Sequence, residues 1–356
     1  MKKMKIATLN DTHFGARGDS EIFDRYFKKF YDDVFFPYLL DNDIKTIIHL
    51  GDVFDRRKYI NYSSLKKCRA YFFDRCRDND IQIHAITGNH DTYYKNTNDV
   101  NSLDLLLGEY TNIKCYSSPT DILLDGQQIG LLPWICPGNM EESLTWIDNT
   151  SSQVVFGHLE LQGFEMHRGH FNDHGLKASL FNKFDRVFSG HFHLKSEQGN
   201  IMYFGTQYEM TWTDFGDQKG FHVYDTDSRE VEYIENPNKI FHKVWYDDLN
   251  KEMDDVLARD FNIYHDGLVK VIVTNKTNPY WFDMFIERLE KAGTVDIQVV
   301  EDHLNLNLED DDDIVNEAED TITILNKYID QLDVSVDKKK LDSLMRTLYT
   351  EALAQE

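Results

Sequence analysis

Five segments of this chain break off from an apolar run into a turn that carries carboxylate, amide or imidazole groups, and this recurrence restricts the fold more than any other feature. MKIATLN leads into Asp11-Thr12-His13, and IKTIIHL leads into Gly51-Asp52 with Asp55 close behind. IQIHAI ends at Gly88-Asn89-His90-Asp91, QVVF at Gly157-His158, and FDRVFS at Gly190-His191-Phe192-His193. Such apolar runs read as strands, and a continuous one such as IKTIIHL as a strand buried on both faces. Between them, SEIFDRYFKKFYDDVFFPYLL sets Phe23, Phe27, Phe30 and Val34 at helical spacing, and NYSSLKKCRAYFFDRCRD also reads as a helix. Strand, polar loop and helix alternate, so the fold class is α/β. Hairpins are expected about Asp125-Gly126 and within FHVYDTDSREVEYI. A single Gly-Asn turn is ordinary loop chemistry. Five in succession, each at a strand end, predict one crevice beyond the carboxyl ends of the strands, where α/β sheets collect their ligands.

Carboxylate and imidazole together suit divalent transition metals such as Mn, Fe, Co or Zn better than Mg or Ca. None of the cysteines (Cys68, Cys76, Cys115, Cys136) is among the candidates, which argues against a structural zinc site. They also form no C-x-x-C pair or disulfide framework, and a reducing cytoplasm is the expected setting. No stretch approaches the roughly 20 apolar residues of a membrane span, and the apolar part of MKKMKIATLND is too short for a signal peptide. The net charge of −24 poses a problem for any nucleic-acid reading. A protein that grips nucleic acid alone usually shows a basic surface, because phosphate neutralisation supplies much of the affinity. Either the substrate is something else, or bound metal and a partner chain bring the positive charge.

The ordered set D-x-H, G-D-x-x-D, G-N-H-D, G-H and G-H-x-H resembles the calcineurin-like metallophosphoesterases over about residues 5–233. That resemblance implies a four-layer β-sandwich flanked by helices rather than a doubly wound sheet. It also implies two divalent metal ions, Mn2+ first and Mg2+ as the alternative. By motif, Asp11, His13 and His193 would bind one ion and Asn89, His158 and His191 the other, with Asp52 bridging. His90 would stand beside the scissile phosphate with Asp91 orienting it. The phosphoprotein phosphatases within the family have G-N-H-E and G-D-x-V-D-R-G; Asp91 and Arg57 break those patterns here.

GDVFDRRKY and FGTQYEMTWTDFGDQKGFHVYD are similar to the nuclease subunits of SbcCD-type recombination complexes, phage recombination endonucleases above all. This implies a DNA exonuclease or endonuclease that is the catalytic subunit of an ATP-driven recombination and repair complex. Its partners would be DNA, a coiled-coil ABC-type ATPase of the SbcC kind and a second copy of itself, with no membrane. The setting would be the cytoplasm, the host's if the chain is phage-encoded. The expected organisation is a nuclease domain over 1–245, a small β-α-β capping domain over 246–305, an acidic linker over 306–320 and a helical partner-docking element over 321–356. From the residues alone, those last helices either pack on their own domain or dock on another chain.

Arg56, Arg57 and Lys58 are candidate DNA contacts, with Lys66-Lys67 as a second basic run. His49 and His84 are expected in the core, and Trp212 against the loop bearing His193. The cluster His167, His170 and His174 reads as a loop over the site rather than a further metal site. The alternative function is a small-molecule or cyclic-nucleotide phosphodiesterase, which leaves the C-terminal additions unexplained. A non-catalytic scaffold would have lost ligands, and none is lost here.

Overall fold

A computed structural model describes residues 4–301 of the chain. Two six-stranded sheets lie face to face. The first runs in the order Val231–Glu235, Gly220–Asp225, Lys5–Leu9, Thr46–His49, Gln82–Ile86, Ile113–Tyr116. The second runs Ser196–Gln198, Ile201–Tyr203, Arg186–Gly190, Val154–His158, Gln127–Leu132, Thr120–Leu124. In each sheet four adjacent strands are mutually parallel, which is why their sequences are nearly continuous apolar runs.

Alternate residues on a strand point to opposite faces, and the burial follows that rule. Ile6, Ile48 and Ile86 meet Ile129, Leu131, Phe156 and Phe188 between the sheets. Their neighbours Ala7, Ile47 and Ala85 face outward onto Phe27, Phe30, Phe35 and Phe72 of the helices. On the far side, Val155, Val187 and Ile201 pack with Ile147, Phe181 and Phe184. The result is helix, sheet, sheet, helix: the four-layer sandwich. Phe30, Phe35, Phe36 and Phe72 are each 0% exposed. At about 1.5–3 kcal/mol per buried ring, this aromatic layer fixes the helices to the first sheet.

The first helical stretch combines Glu21–Phe30, a widened π turn at Tyr31–Phe35 and Phe36–Asp41. Pro37 has no N–H to give the carbonyl four residues back, at Asp33, and the widened turn falls there. Helix Met140–Asn149 is not announced by a long apolar stripe; it fully buries only Ser143 and Ile147.

A separate three-stranded parallel sheet follows, ordered Phe241–Asp247, Leu268–Asn275, Asp296–Glu301, with helix Pro279–Lys291 crossing between the last two strands. The β-α-β unit is therefore present with one more strand than the sequence reading gave. The division at residue 245 falls inside Phe241–Asp247, whose burial alternates too irregularly to stand out from the preceding hairpin. The acidic linker and the C-terminal helices lie outside the described residues.

Candidate metal centre

The turns after Lys5–Leu9 and Thr46–His49 run side by side. Asp11 N–H donates to Gly51 O (2.9 Å), His13 N–H to Asp52 O (3.1 Å) and Phe14 N–H to Val53 O (2.9 Å). Gly51 sits at φ +91°, where a Cβ would lie 2.7 Å from Gly88 Cα. A Cβ on Gly88 would lie 2.2 Å from Asp52 Oδ1. The two glycines thus let the Asp52 and Asn89 turns approach to contact distance. Asp11 (φ 48°), His13 (φ 43°), Asp52 (φ 53°) and His191 (φ 86°) occupy the left-handed region. At about 1–3 kcal/mol each, that backbone strain collects where the donors converge.

Two donor groups result. In each of Asp11/His13/His193 and Asp52/His158/His191, the candidate ligand atoms lie within 4.8 Å of one another. Asn89 joins the second group: its Oδ1 is 2.8 Å from His158 Nε2 and 3.0 Å from His191 Nδ1. Asp52 Oδ2 stands between the groups, 3.4 Å from His158 Nε2 and 3.9 Å from His13 Nε2. His158 Nδ1 donates to Leu50 O at 2.7 Å, so Nε2 is the nitrogen turned into the site. Both ring nitrogens of His13 are buried without a hydrogen-bond partner, Nδ1 standing 3.5 Å from Asp55 Oδ1. Buried acceptors crowded in this way call for positive charge among them.

The electrostatics agree. Burial disfavours a charged His13, yet Asp55, Asp52 and Asp11 outweigh it and lift its pKa to about 9. His158 is likewise raised to about 9, Asp52 overcoming the cost of burial. Burial would raise Asp52, but His158, His90 and His13 hold its carboxyl well below the usual range. Burial and the neighbouring His158 push His191 down to about 3, and burial takes His193 to about 4. Carboxylate, amide and imidazole donors placed in this way fit divalent cations.

The structure brings all seven predicted ligands together, with His90 beside them. The His90 and His13 rings are 4.8 Å apart, edge to face. His90 N–H donates to Asp52 Oδ1 (2.7 Å), and its Nδ1 donates to the backbone carbonyl of Asp55 (2.5 Å). Asp91 does not orient it, contrary to the sequence reading. Its buried carboxylate accepts the N–H groups of Gly88 (2.9 Å), Val53 (3.0 Å) and Phe54 (3.2 Å), clamping the two turns together. Burial and Asp52 raise Asp91 to about 7 against those amides. The residue that holds His90 is Asp55, which the sequence marked only as the end of G-D-x-x-D.

Other expectations sort as follows. His49 and His84 are core residues, bonded to Thr12 Oγ1 (3.1 Å) and the Tyr116 hydroxyl (2.8 Å). Trp212 packs on Phe241 (4.6 Å between centroids). His167 and His170 sit on the hairpin Glu165–His167/His170–Phe171, and among the described residues no donor group forms there. That hairpin is fastened by Arg168 to Asp217 at 2.7 Å. Arg56 is paired with Asp19 (3.1 Å), while Arg57 donates to Thr92 Oγ1 (3.2 Å) and stacks over Trp134. Lys67 is a surface partner of Glu21 and Asp24.

The fold and the doubled donor set define a metallophosphoesterase, and the chain belongs to the calcineurin-like phosphoesterase family, whose profile matches residues 4–195. It is 32% identical over 355 residues to exonuclease subunit 1 of Enterobacteria phage T4, covering 98% of this chain and 99% of that one. It is 27% identical over 216 residues to the putative phosphoesterase 244L of Invertebrate iridescent virus 6, covering 58% of this chain and 71% of that one. Among solved structures, a purple acid phosphatase from yellow lupin seeds overlays on 65% of this chain and 51% of its own. That overlay has 13% identity and a TM-score of 0.40. No helix among the described residues is long and apolar enough to cross a membrane.

Proposed function

We propose that the protein is a divalent-metal-dependent DNA nuclease, the catalytic subunit of an ATP-driven recombination and repair complex. The observation that carries the chemistry is Asp52 Oδ2, set between two donor groups at 3.4 Å from His158 Nε2 and 3.9 Å from His13 Nε2. Asp11, His13 and His193 would hold one ion and Asn89, His158 and His191 the other, with Asp52 shared. Two ions there, Mn2+ by the softness of the donors, would clamp the attacking and leaving oxygens of an in-line displacement and offset charge on the phosphoryl oxygens.

His90 supplies the proton to the leaving oxygen. Its Nδ1–H is committed to Asp55 O and its backbone N–H to Asp52 Oδ1, which leaves Nε2 as the ring atom free to face the leaving oxygen. The kinship with a phage exonuclease subunit supports DNA as substrate and a partner subunit. A cleft of about 150 Å³ beside the site is lined by Arg56, Arg57, Lys58, Tyr59 and Tyr93, cations and aromatic faces of the kind that hold a single strand. Arg56, Arg57 and Lys58 are the DNA contacts within it. A coiled-coil ATPase of the SbcC kind brings the remaining positive surface. A second copy of the chain covers Tyr62 (87% exposed) on the neighbouring helix.

The test is hydrolysis of linear double-stranded and single-stranded DNA with Mn2+, with and without the cognate ATPase, using Asp52→Ala as the blank. Mn2+-dependent cutting that the ATPase alters and the blank lacks is the expected result. Intact DNA alongside hydrolysis of a small phosphodiester would move the substrate to the small-molecule class.

A further inference from the structure

Behind the loop bearing His193 lies a charged pair that the proposed chemistry does not use. Lys219 is 1% exposed and Asp214 is 3% exposed. The three N–H groups of Lys219 Nζ go to Asp214 Oδ1 (2.6 Å), Thr206 Oγ1 (2.9 Å) and the backbone carbonyl of His193 (3.0 Å). The other Asp214 oxygen accepts the N–H groups of Met210 (2.8 Å) and Thr211 (2.9 Å). Thr206 N–H also reaches His193 O, at 3.1 Å. The backbone is close enough here that a Cβ on Gly205 would lie 3.0 Å from that same carbonyl.

A buried ion pair is a poor way to stabilise a fold, because desolvating both charges offsets most of their attraction, and apolar residues of equal volume often do as well. What such a pair supplies is a fixed geometry. Here every proton of the ammonium is committed, and one commitment is to the main chain of a proposed metal ligand.

Resting on the two-metal reading above, the geometry points to Lys219 as a positioning residue. With Asp214, it sets the main chain at His193 and thereby the affinity of the Asp11/His13/His193 position, while His191, two residues back on the same loop, keeps its own contacts with Asn89 Oδ1 (3.0 Å) and the Asp11 carboxylate (2.9 Å). Lys219 touches no ligand atom of the second group; that group is held instead by Leu50 O on His158 and by the Asp91 clamp on the Asn89 turn. Residues that orient a metal ligand typically change metal affinity by about 10–100-fold when lost, and a shift of that size is expected at one position only.

The experiment is Mn2+ titration of the full chain by calorimetry, with electron paramagnetic resonance on the loaded samples. Wild type is compared with Lys219→Met and with the double variant Lys219→Met/Asp214→Asn. The double variant removes the unpaired buried carboxylate that the single substitution leaves, so it keeps the fold if the single one fails. Wild type binding two ions with a spin-coupled signal tests the two-metal reading by itself. The expected variant binds one ion with wild-type affinity and the other at least about tenfold more weakly, and its signal at one equivalent is that of an isolated ion. Two ions bound as in wild type, or both weakened together in a protein with an unchanged melting curve, would overturn the assignment. Absence of a second ion in wild type would sink the two-metal reading instead.

Discussion

The two halves of the proposed metal centre are built from the same residue types but held in different ways. Asp52, Asn89 and His191 project from turns that follow central parallel strands of the two sheets, and His158 ends one such strand, Val154–His158. The Asp91 carboxylate fastens the first two of those turns through three main-chain amides. Asp11, His13 and His193 follow central strands too, on turns bonded to or shared with the first set, but they lean in addition on residues 205–219. Asn10 Nδ2 donates to Gly205 O (2.8 Å), the Tyr208 hydroxyl to Thr12 O (2.7 Å) and Lys219 to His193 O (3.0 Å). The same segment reaches the small sheet. Glu209 Oε2 accepts the N–H groups of Ile240 and Phe241, and Trp212 packs on Phe241. One half is held within the sandwich alone, and the other also depends on a segment bonded to the start of the small sheet.

The strongest way to break this comparison is Asp52→Ala, because that carboxylate alone belongs to both halves. DNA hydrolysis should fall by about 10³-fold or more and both Mn2+ affinities should weaken; loss of one ion only would show that Asp52 is not shared. His90→Asn should lower the single-turnover rate by about 10²–10⁴-fold while both ions still bind, placing His90 outside either half. Asp91→Ala separates clamp from orienting group. As a clamp, its loss leaves buried amides unpaired and should cost about 3 kcal/mol in urea unfolding. An orienting residue would instead slow the rate and leave stability alone.

The scaffold that both halves share has its own pH signature. Burial, helped by Lys195, depresses His222 to about 3, and burial with Lys114 depresses His84 to about 4. Each folded-state value lies below the unfolded one near 6.5, so the unfolded chain takes up more protons as pH falls. The contribution of these two rings is full above about pH 6.5 and should decline toward pH 4. His222→Leu should flatten that slope in urea melts recorded at successive pH values. The smallest effect is expected from Tyr208→Phe, which removes one bond to Thr12 O. It should cost about 1 kcal/mol and weaken the ion at Asp11/His13/His193 only, read by the same Mn2+ titration.

Much of the site was legible because strand-end chemistry is local. A parallel strand buried on both faces is written as an apolar run, and the turn after it must contain whatever the crevice needs, so Asp11, Asp52, Asn89, His158 and His191 were visible in place. The face-to-face sheets were not legible from periodicity and entered through family resemblance. Asp91 was misassigned because a carboxylate next to a catalytic imidazole looks alike whether it binds the ring or the main chain; only the positions of Val53 and Phe54 separate the two. Asp55 carried a signal, the second acid of G-D-x-x-D, yet it acts on His90 through its carbonyl, which every residue type has. Lys219 gave none: in GDQKG it reads as solvated surface, and burial of that lysine depends on Asp214 and on a loop some 26 positions away in sequence.

The left-handed backbone at Asp11, His13, Asp52 and His191 has an evolutionary consequence. These are positions where glycine or asparagine would relax the chain, and where removing a buried charge or imidazole would lighten the cost of desolvation. Stability and chemistry therefore pull in opposite directions at the same codons. A lineage released from the chemistry of this site would drift toward a firmer, silent protein through these four sites before its core changed at all.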